Sequence, residues 1–191
     1  MVRPRSFDHE AVVDAAQVLF WRKGYGSTSV QDLVEATGLE RGSLYGAFGS
    51  KAGLFEAALT KYMDERRALV AKAPSGEALL RGWFAFLIDQ AVAQDPGRGC
   101  LLLNSANHLP ALPQELREMV GAHVELIEGV YRQALAEALG LPKAHPVIDQ
   151  RARQLLASLI GIATLSRLGY GRAPLQEIAA QALGSALEAP S

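Results

Sequence analysis

Apolar residues recur at helical spacing along most of the chain and no segment alternates with period two, so the pattern predicts helix nearly throughout. Val12, Ala15, Ala16, Leu19 and Phe20 form one stripe on a first helix over Phe7 to Lys23, ended by Gly24 and Gly26. Ser29 is placed to cap a second helix, with Asp32 three residues on as the other half of a capping box. That helix turns Val30, Leu33 and Val34 inward and stops at Gly38, suited to the left-handed position after a helix end. A third, short helix is expected from Arg41 to Phe48, with Leu44 and Phe48 facing the core. Ser50 then caps a long fourth helix that runs toward Ala73 and stops before Pro74.

Beyond Pro74 the spacing predicts helices over Ser75–Gln94, Gly99–Asn107, Pro113–Leu139, Pro146–Leu168 and Pro174–Leu187. They are punctuated by Pro96-Gly97, Pro110, Gly140 to Pro142, and Gly169 to Pro174. In the helix from Pro146, Leu155, Leu156, Leu159, Ile160, Ile162 and Leu165 go most of the way round, while Ala157, Gly161 and Ala163 permit close approach. All-round apolarity means burial on two sides. One side is the subunit's core, and the other is expected to meet a second copy. Leu175, Ile178, Ala179, Ala182, Leu183 and Leu187 on the last helix complete a two-fold four-helix interface. A helix buried wholly within one subunit is the other reading of the same pattern.

Two short helices joined by a glycine-containing turn and braced by a longer one make a helix-turn-helix unit. A plain helical hairpin has the same outline, and the residues left facing outward separate the two. The third helix presents Arg41, Gly42, Ser43 and Tyr45 at its N-terminal end, where backbone amides and the helix dipole favour phosphate. Gly42 costs about 1 kcal/mol of helix stability relative to Ala, which makes sense where something must approach the backbone closely. Arg can read guanine, while Ser and Tyr hydroxyls serve bases or phosphates. Ser27, Thr28 and Lys51, at helix starts flanking the motif, suit phosphate anchoring. For Thr28 and Ser29 capping alone competes; phosphate contact is expected of Thr28 and a cap of Ser29. Arg3 and Arg5 suit a minor groove or a simple tail.

Charge refines this picture. The net charge is −1, and in residues 1–51 six basic side chains offset six acidic ones. Indiscriminate coating of nucleic acid needs a basic surface, so the balance weakens that function and leaves site-specific binding open.

The run Ala15-Ala16, Leu19-Phe20, Gly24, Thr28-Ser29, Asp32-Leu33, Gly38-Leu39, Gly42-Ser43-Leu44-Tyr45, Phe48, Lys51 and Leu54-Phe55 resembles the tetracycline-repressor (TetR/AcrR) family over about 50 residues. The resemblance implies an all-α subunit of nine or so helices. An N-terminal three-helix DNA-binding domain (residues 1–50) would precede a C-terminal ligand-binding and dimerisation domain (residues 51–191). It also implies a recognition helix in the major groove of double-stranded operator DNA, a homodimer, and a small-molecule inducer of unknown identity. Two positions depart from the family. Glu40 stands where a Ser cap is common, and Gly46 where a larger, DNA-facing side chain is common.

Family analogy places an inducer pocket among the central helices, at Trp83, Phe86, Leu87, Leu103 and Asn107. His108, Met119, His123 and Tyr131 complete the expected walls. Cys100, in Arg98-Gly99-Cys100-Leu101-Leu102, resembles a run in one branch of the family, some members of which respond to electrophiles or oxidants through this cysteine. A helix N-terminus with Arg98 adjacent would favour thiolate, whereas Leu101 to Leu103 suggest an inert buried thiol. Both readings stand at this level.

Catalysis finds no support. His9, His108, His123 and His145 are dispersed and match no ligand spacing, and no glycine-rich phosphate loop is present, so neither metal nor cofactor is expected. The longest apolar run, Leu155 to Leu165, is too short to span a bilayer. The start Met-Val-Arg-Pro-Arg has no apolar signal region, and one cysteine permits no intrachain disulfide. A cytoplasmic protein without a membrane partner is the expectation.

Overall fold

The computed structural model describes residues 7–93, 100–106 and 108–189, and among them the chain is all-α. Helix α1 (His9–Ser27) starts on Asp8, whose carboxylate accepts from the Glu10 and Ala11 amides. It breaks at Gly24, which adopts φ 75°, ψ 163°, so the expected stop is a kink followed by one more turn. Helix α2 (Val30–Thr37) carries the full capping box. The Asp32 amide donates to Ser29 Oγ at 3.0 Å, and the Ser29 amide to Asp32 Oδ2 at 2.8 Å. Gly38 ends it with φ 69°. Helix α3 (Arg41–Phe48) follows directly, and Ser50 caps α4 (Lys51–Lys72) through the Gly53 amide.

The body consists of α5 (Gly76–Ala93), α6 (Leu101–Ala106), a 3-10 turn (Leu109–Ala111), α7 (Gln114–Leu139), α8 (Pro146–Arg167) and α9 (Arg172–Leu187). The punctuation at Pro96-Gly97 and the expected ends at Gln94, Gly99 and Asn107 lie outside the described residues, as do Arg3 and Arg5. No periodicity pointed to the 3-10 turn. Helices α7, α8 and α9 pack in sequence, α5 lies against α7 and α9, and α6 sits between α1, α4 and α7.

One continuous core joins both ends of the molecule. Phe20 and Phe55 meet edge-on at 5.1 Å under the head, and Trp21 meets Tyr62 at 5.1 Å beside the body. Helix α4 therefore belongs to both regions, and the boundary expected between residues 50 and 51 falls at its first turn. Two further details fix the body. Arg151 donates to the Ala186 and Glu188 carbonyls at the end of α9, a cation at a helix C-terminus. Arg132 ties Glu128 to Asp149 at 2.5 and 2.6 Å, pinning α7 to α8.

The all-round apolar helix α8 buries Leu155, Leu159 and Ile162 inward, with Leu156, Ile160 and Leu165 half-buried. On its other side Ala157 is exposed, and a methyl group added at Gly161 would meet nothing within 4 Å. Leu168, at its end, is 72% exposed. Among the described residues no helix is long and apolar enough to cross a membrane.

Candidate functional site

The outer face of the head is built by burying the inner one. On α3, Leu44 is buried, and Phe48 stacks on His9 at 4.7 Å. That anchoring leaves Arg41, Gly42, Ser43 and Gly46 exposed, with Tyr45 half-buried at the edge. The Arg41 guanidinium lies 5.5 Å from the centre of the Tyr45 ring, so the two side chains form one unit. A methyl added at Gly42 or Gly46 would meet nothing within 4 Å. Nothing inside the protein therefore requires glycine there, and the open backbone is turned to the outside. Glu40, before α3, makes no side-chain capping bond, so the first-turn amides are not occupied by their own cap.

The flanking residues divide. Ser27 is exposed at the end of α1. Lys51 is half-buried, its Nζ 4.3 Å from the centre of the Tyr25 ring; burial lowers its pKa while the Asp32 charge opposes this. Thr28 corrects the expectation for it. It is only 1% exposed, and its hydroxyl donates to the Gly24 carbonyl at 2.7 Å, closing the kinked end of α1. The polar chemistry that looked like a phosphate anchor serves the glycine break instead. Ser29 caps, as expected. Lys23 pairs with Asp32 at 2.7 Å. That contact and the Ser29 bonds hold the Asp32 carboxyl down at about 2.

The body contains a cavity of about 230 Å³ between α4, α5, α6, α7 and α8. Of the residues expected at a pocket, Trp83, Leu87, Cys100 and Tyr131 line it. Phe86 belongs to a separate surface depression with Leu69 and Val70. Leu103 is buried in the core, His108 is exposed ahead of the 3-10 turn, and Met119 and His123 lie elsewhere on α7. Family analogy placed these five near the central helices but not on the wall. Asn107 and Arg98 lie outside the described residues.

The wall residues missed by the sequence come chiefly from α4: Tyr62, Met63, Arg66 and Val70. The Tyr62 hydroxyl donates to Cys100 Sγ at 3.2 Å and accepts from the Leu101 amide at 3.3 Å, joining α4 to the start of α6. Burial holds the Tyr62 hydroxyl far from ionisation, the Cys100 sulfur adding to the effect. Arg66 stacks on the Tyr62 ring, 3.1 Å from its centre, and donates to the Tyr62 carbonyl at 3.1 Å. Its Nε is buried without a partner, and so is the Tyr131 hydroxyl, although the Trp83 indole acts on the latter. His123, with its Nδ1 buried and unpartnered, is lowered in pKa by burial and then by Arg67.

A short outward-facing helix held by a helix-turn-helix, on a helical body, is the arrangement of a DNA-binding transcription regulator. Residues 12–58 match the family of bacterial regulatory proteins, tetR family. The chain is 31% identical to the HTH-type transcriptional repressor ComR of Escherichia coli (strain K12), over 95% of this chain and 90% of that protein. The HTH-type transcriptional repressor BdcR of the same organism is 41% identical over 83 residues, 41% of this chain and 42% of that protein. Among solved structures, a cysteine mutant of the TetR family transcriptional regulator CifR, complexed with 26 bp double-strand operator DNA, superposes with a TM-score of 0.83. It shares 26% identity, with 96% of this chain and 98% of that one covered. The chain belongs to the tetR family, whose members are transcription regulators and not enzymes.

Proposed function

We propose that this protein is a ligand-responsive repressor that binds a palindromic operator as a homodimer, with α3 as the recognition helix. The observation that carries the reading is the exposed Arg41, Gly42 and Ser43, with Tyr45 half-buried at their edge, on a helix whose opposite side is buried. Arg41 and Tyr45 read base edges, while Ser27 and Lys51 anchor phosphates. The repressors ComR and BdcR and the operator complex of CifR support it. An effector in the cavity acts by favouring a separation of the two recognition helices that no longer matches the half-sites, and operator affinity falls by linkage.

Footprinting tests the DNA reading: two symmetric half-sites about one helical turn or slightly more apart are expected, and a single asymmetric site bound by one subunit would contradict it. Gly161→Leu tests assembly. Its side chain enters open space in the single subunit, so dissociation in sedimentation reports on an interface across α8. A wild-type monomer at micromolar concentration would remove the dimer.

A second reading, a thiol switch at Cys100, is favoured by one observation: the residue lines the cavity although it is only 8% exposed. Small electrophiles would reach it through the cavity. Alkylation of the native protein with loss of operator binding, abolished in Cys100→Ser, is the expected result; a thiol that reacts only after denaturation rejects the switch.

A further inference from the structure

A guanidinium set against an apolar cavity loses hydration, and without a counter-charge that loss is uncompensated. Arg66 is in this position. No carboxylate among the described residues pairs with it; its contacts are the Tyr62 carbonyl and the faces of Tyr62 and Trp21. The rings offset part of the cost, yet Nε remains buried and unpartnered. The other charged residue on the wall is Arg67, which pairs with Asp64 at 3.2 Å, and no Asp or Glu among the described residues lines the cavity. Tyr131, fully buried on the facing helix α7, brings a second hydroxyl, whose oxygen the Trp83 indole approaches and whose O–H finds no acceptor. Everything else on the wall is apolar apart from the Tyr62 hydroxyl, the Trp83 indole and the Cys100 thiol; the Tyr62 hydroxyl and Cys100 sulfur are engaged with each other and the indole approaches Tyr131.

With Arg66 unpaired and no anion among the described wall residues, a cationic ligand is disfavoured, while a neutral one leaves the guanidinium unpaired. A carboxylate satisfies it, because the planar Arg fork presents parallel N–H donors that match two carboxylate oxygens, and the low-dielectric surroundings strengthen the pair. At about 230 Å³ the space is below the roughly 300–1,000 Å³ usual for drug-sized ligands. The body of the ligand is then a single ring or a short chain. Resting on the reading of this cavity as the effector site, we infer that its ligand is a small organic monoanion: an apolar body bearing one carboxylate, which pairs with Arg66 and takes Tyr131 as a second donor.

The test uses three probes that share one body: 4-phenylbutanoate, 4-phenylbutanamide and 4-phenylbutylamine, titrated calorimetrically into the full-length protein. The acid is expected to bind at least tenfold more tightly than the amide, and the amine weakest. Arg66→Gln should bring the acid down to the level of the amide and leave the amide unchanged. Because Arg66 also stacks on Tyr62, that variant is checked by its melting curve and its operator binding without ligand. Two gentler variants carry the test if it unfolds. Arg66→Lys keeps the charge and loses the fork, and Tyr131→Phe removes only a hydroxyl; each should weaken the acid severalfold and spare the amide. Amide or amine binding as tightly as the acid, acid affinity undiminished in the folded variants, or no binding by any probe overturns the inference. Operator release separates it from the broader reading. Acid binding that depends on Arg66 but leaves operator affinity unchanged supports the ligand chemistry and rejects the effector role. Release by the amide or amine and not by the acid supports the effector role and overturns the carboxylate.

Discussion

The head and the body use polar side chains in opposite ways. In the head, α3 buries Leu44 and turns Arg41, Gly42 and Ser43 outward, so its chemistry sits on one short stretch of chain and faces solvent. In the body, the telling groups point inward. Arg66 on α4, Cys100 just before α6 and Tyr131 on α7 meet at a cavity that is otherwise almost wholly apolar. An outward face is specified by sequence neighbours, whereas an inward one is specified by how helices cross. A substitution in the head should therefore change DNA affinity directly and leave the cavity intact, and one in the cavity should do the reverse.

The sharpest way to break that separation is Gly53→Val. A Cβ at Gly53 would stand 2.1 Å from the Phe48 carbonyl oxygen, a backbone atom at the end of α3. Backbone must move, so overpacking should cost at least the usual 1–3 kcal/mol or so and displace the recognition helix. Operator binding should vanish in gel shift while calorimetric binding to the cavity persists; retained operator affinity would show that the close approach positions nothing.

Next in size are Arg41→Ala and Tyr45→Ala. Each should weaken specific binding by about 1–3 kcal/mol and relax operator preference. Because Arg41 lies over the Tyr45 ring, the double variant should lose less than the sum. Fluorescence anisotropy over operator variants checks this, and strict additivity would mean that the two side chains act independently.

Lys51→Ala should act more weakly and alike on all sequences, flattening the salt dependence by about one unit of slope. A change in sequence preference instead would move Lys51 from anchoring to reading.

The smallest effect is in acid. Asp32 has its carboxyl held at about 2 by Lys23 and Ser29. A depressed carboxyl stabilises the fold above its unfolded pKa of roughly 4, and that contribution disappears as pH falls from there toward about 2. Asp32→Asn should remove this part of the pH dependence of the melting temperature, and an unchanged pH profile in the variant would show that the pair contributes nothing.

The contrast also explains what the sequence revealed. Ser29 with Asp32, Gly38, and Ser50 before α4 announce helix ends through bonds between near neighbours, so α2 and the starts of α3 and α4 could be placed without any structure. Thr28 was misjudged because the same hydroxyl suits a phosphate or a carbonyl, and only the kink at Gly24 decides which it meets. The cavity was harder to read. Arg66 lies in Asp64-Glu65-Arg66-Arg67, which looks like a solvated charged face until Trp21 and α7 close around it. Phe86 and Leu87 are adjacent, yet only Leu87 reaches the cavity. Helix rotation chose between them, and periodicity is silent on rotation.

Helix α4 runs without interruption from the floor of the head to the wall of the cavity, and this makes it a stiff arm. The 15 residue steps from Lys51 to Arg66 span about 22 Å at about 1.5 Å per step. On an arm of that length a tilt of about 5° at the Arg66 end carries the Lys51 end roughly 2 Å sideways, comparable to the spacing between successive residues along a helix. Under the proposed reading, a ligand would not need to deform the body to silence the head: settling α4 at a slightly different angle would be enough to move two heads off a spacing of one helical turn on DNA.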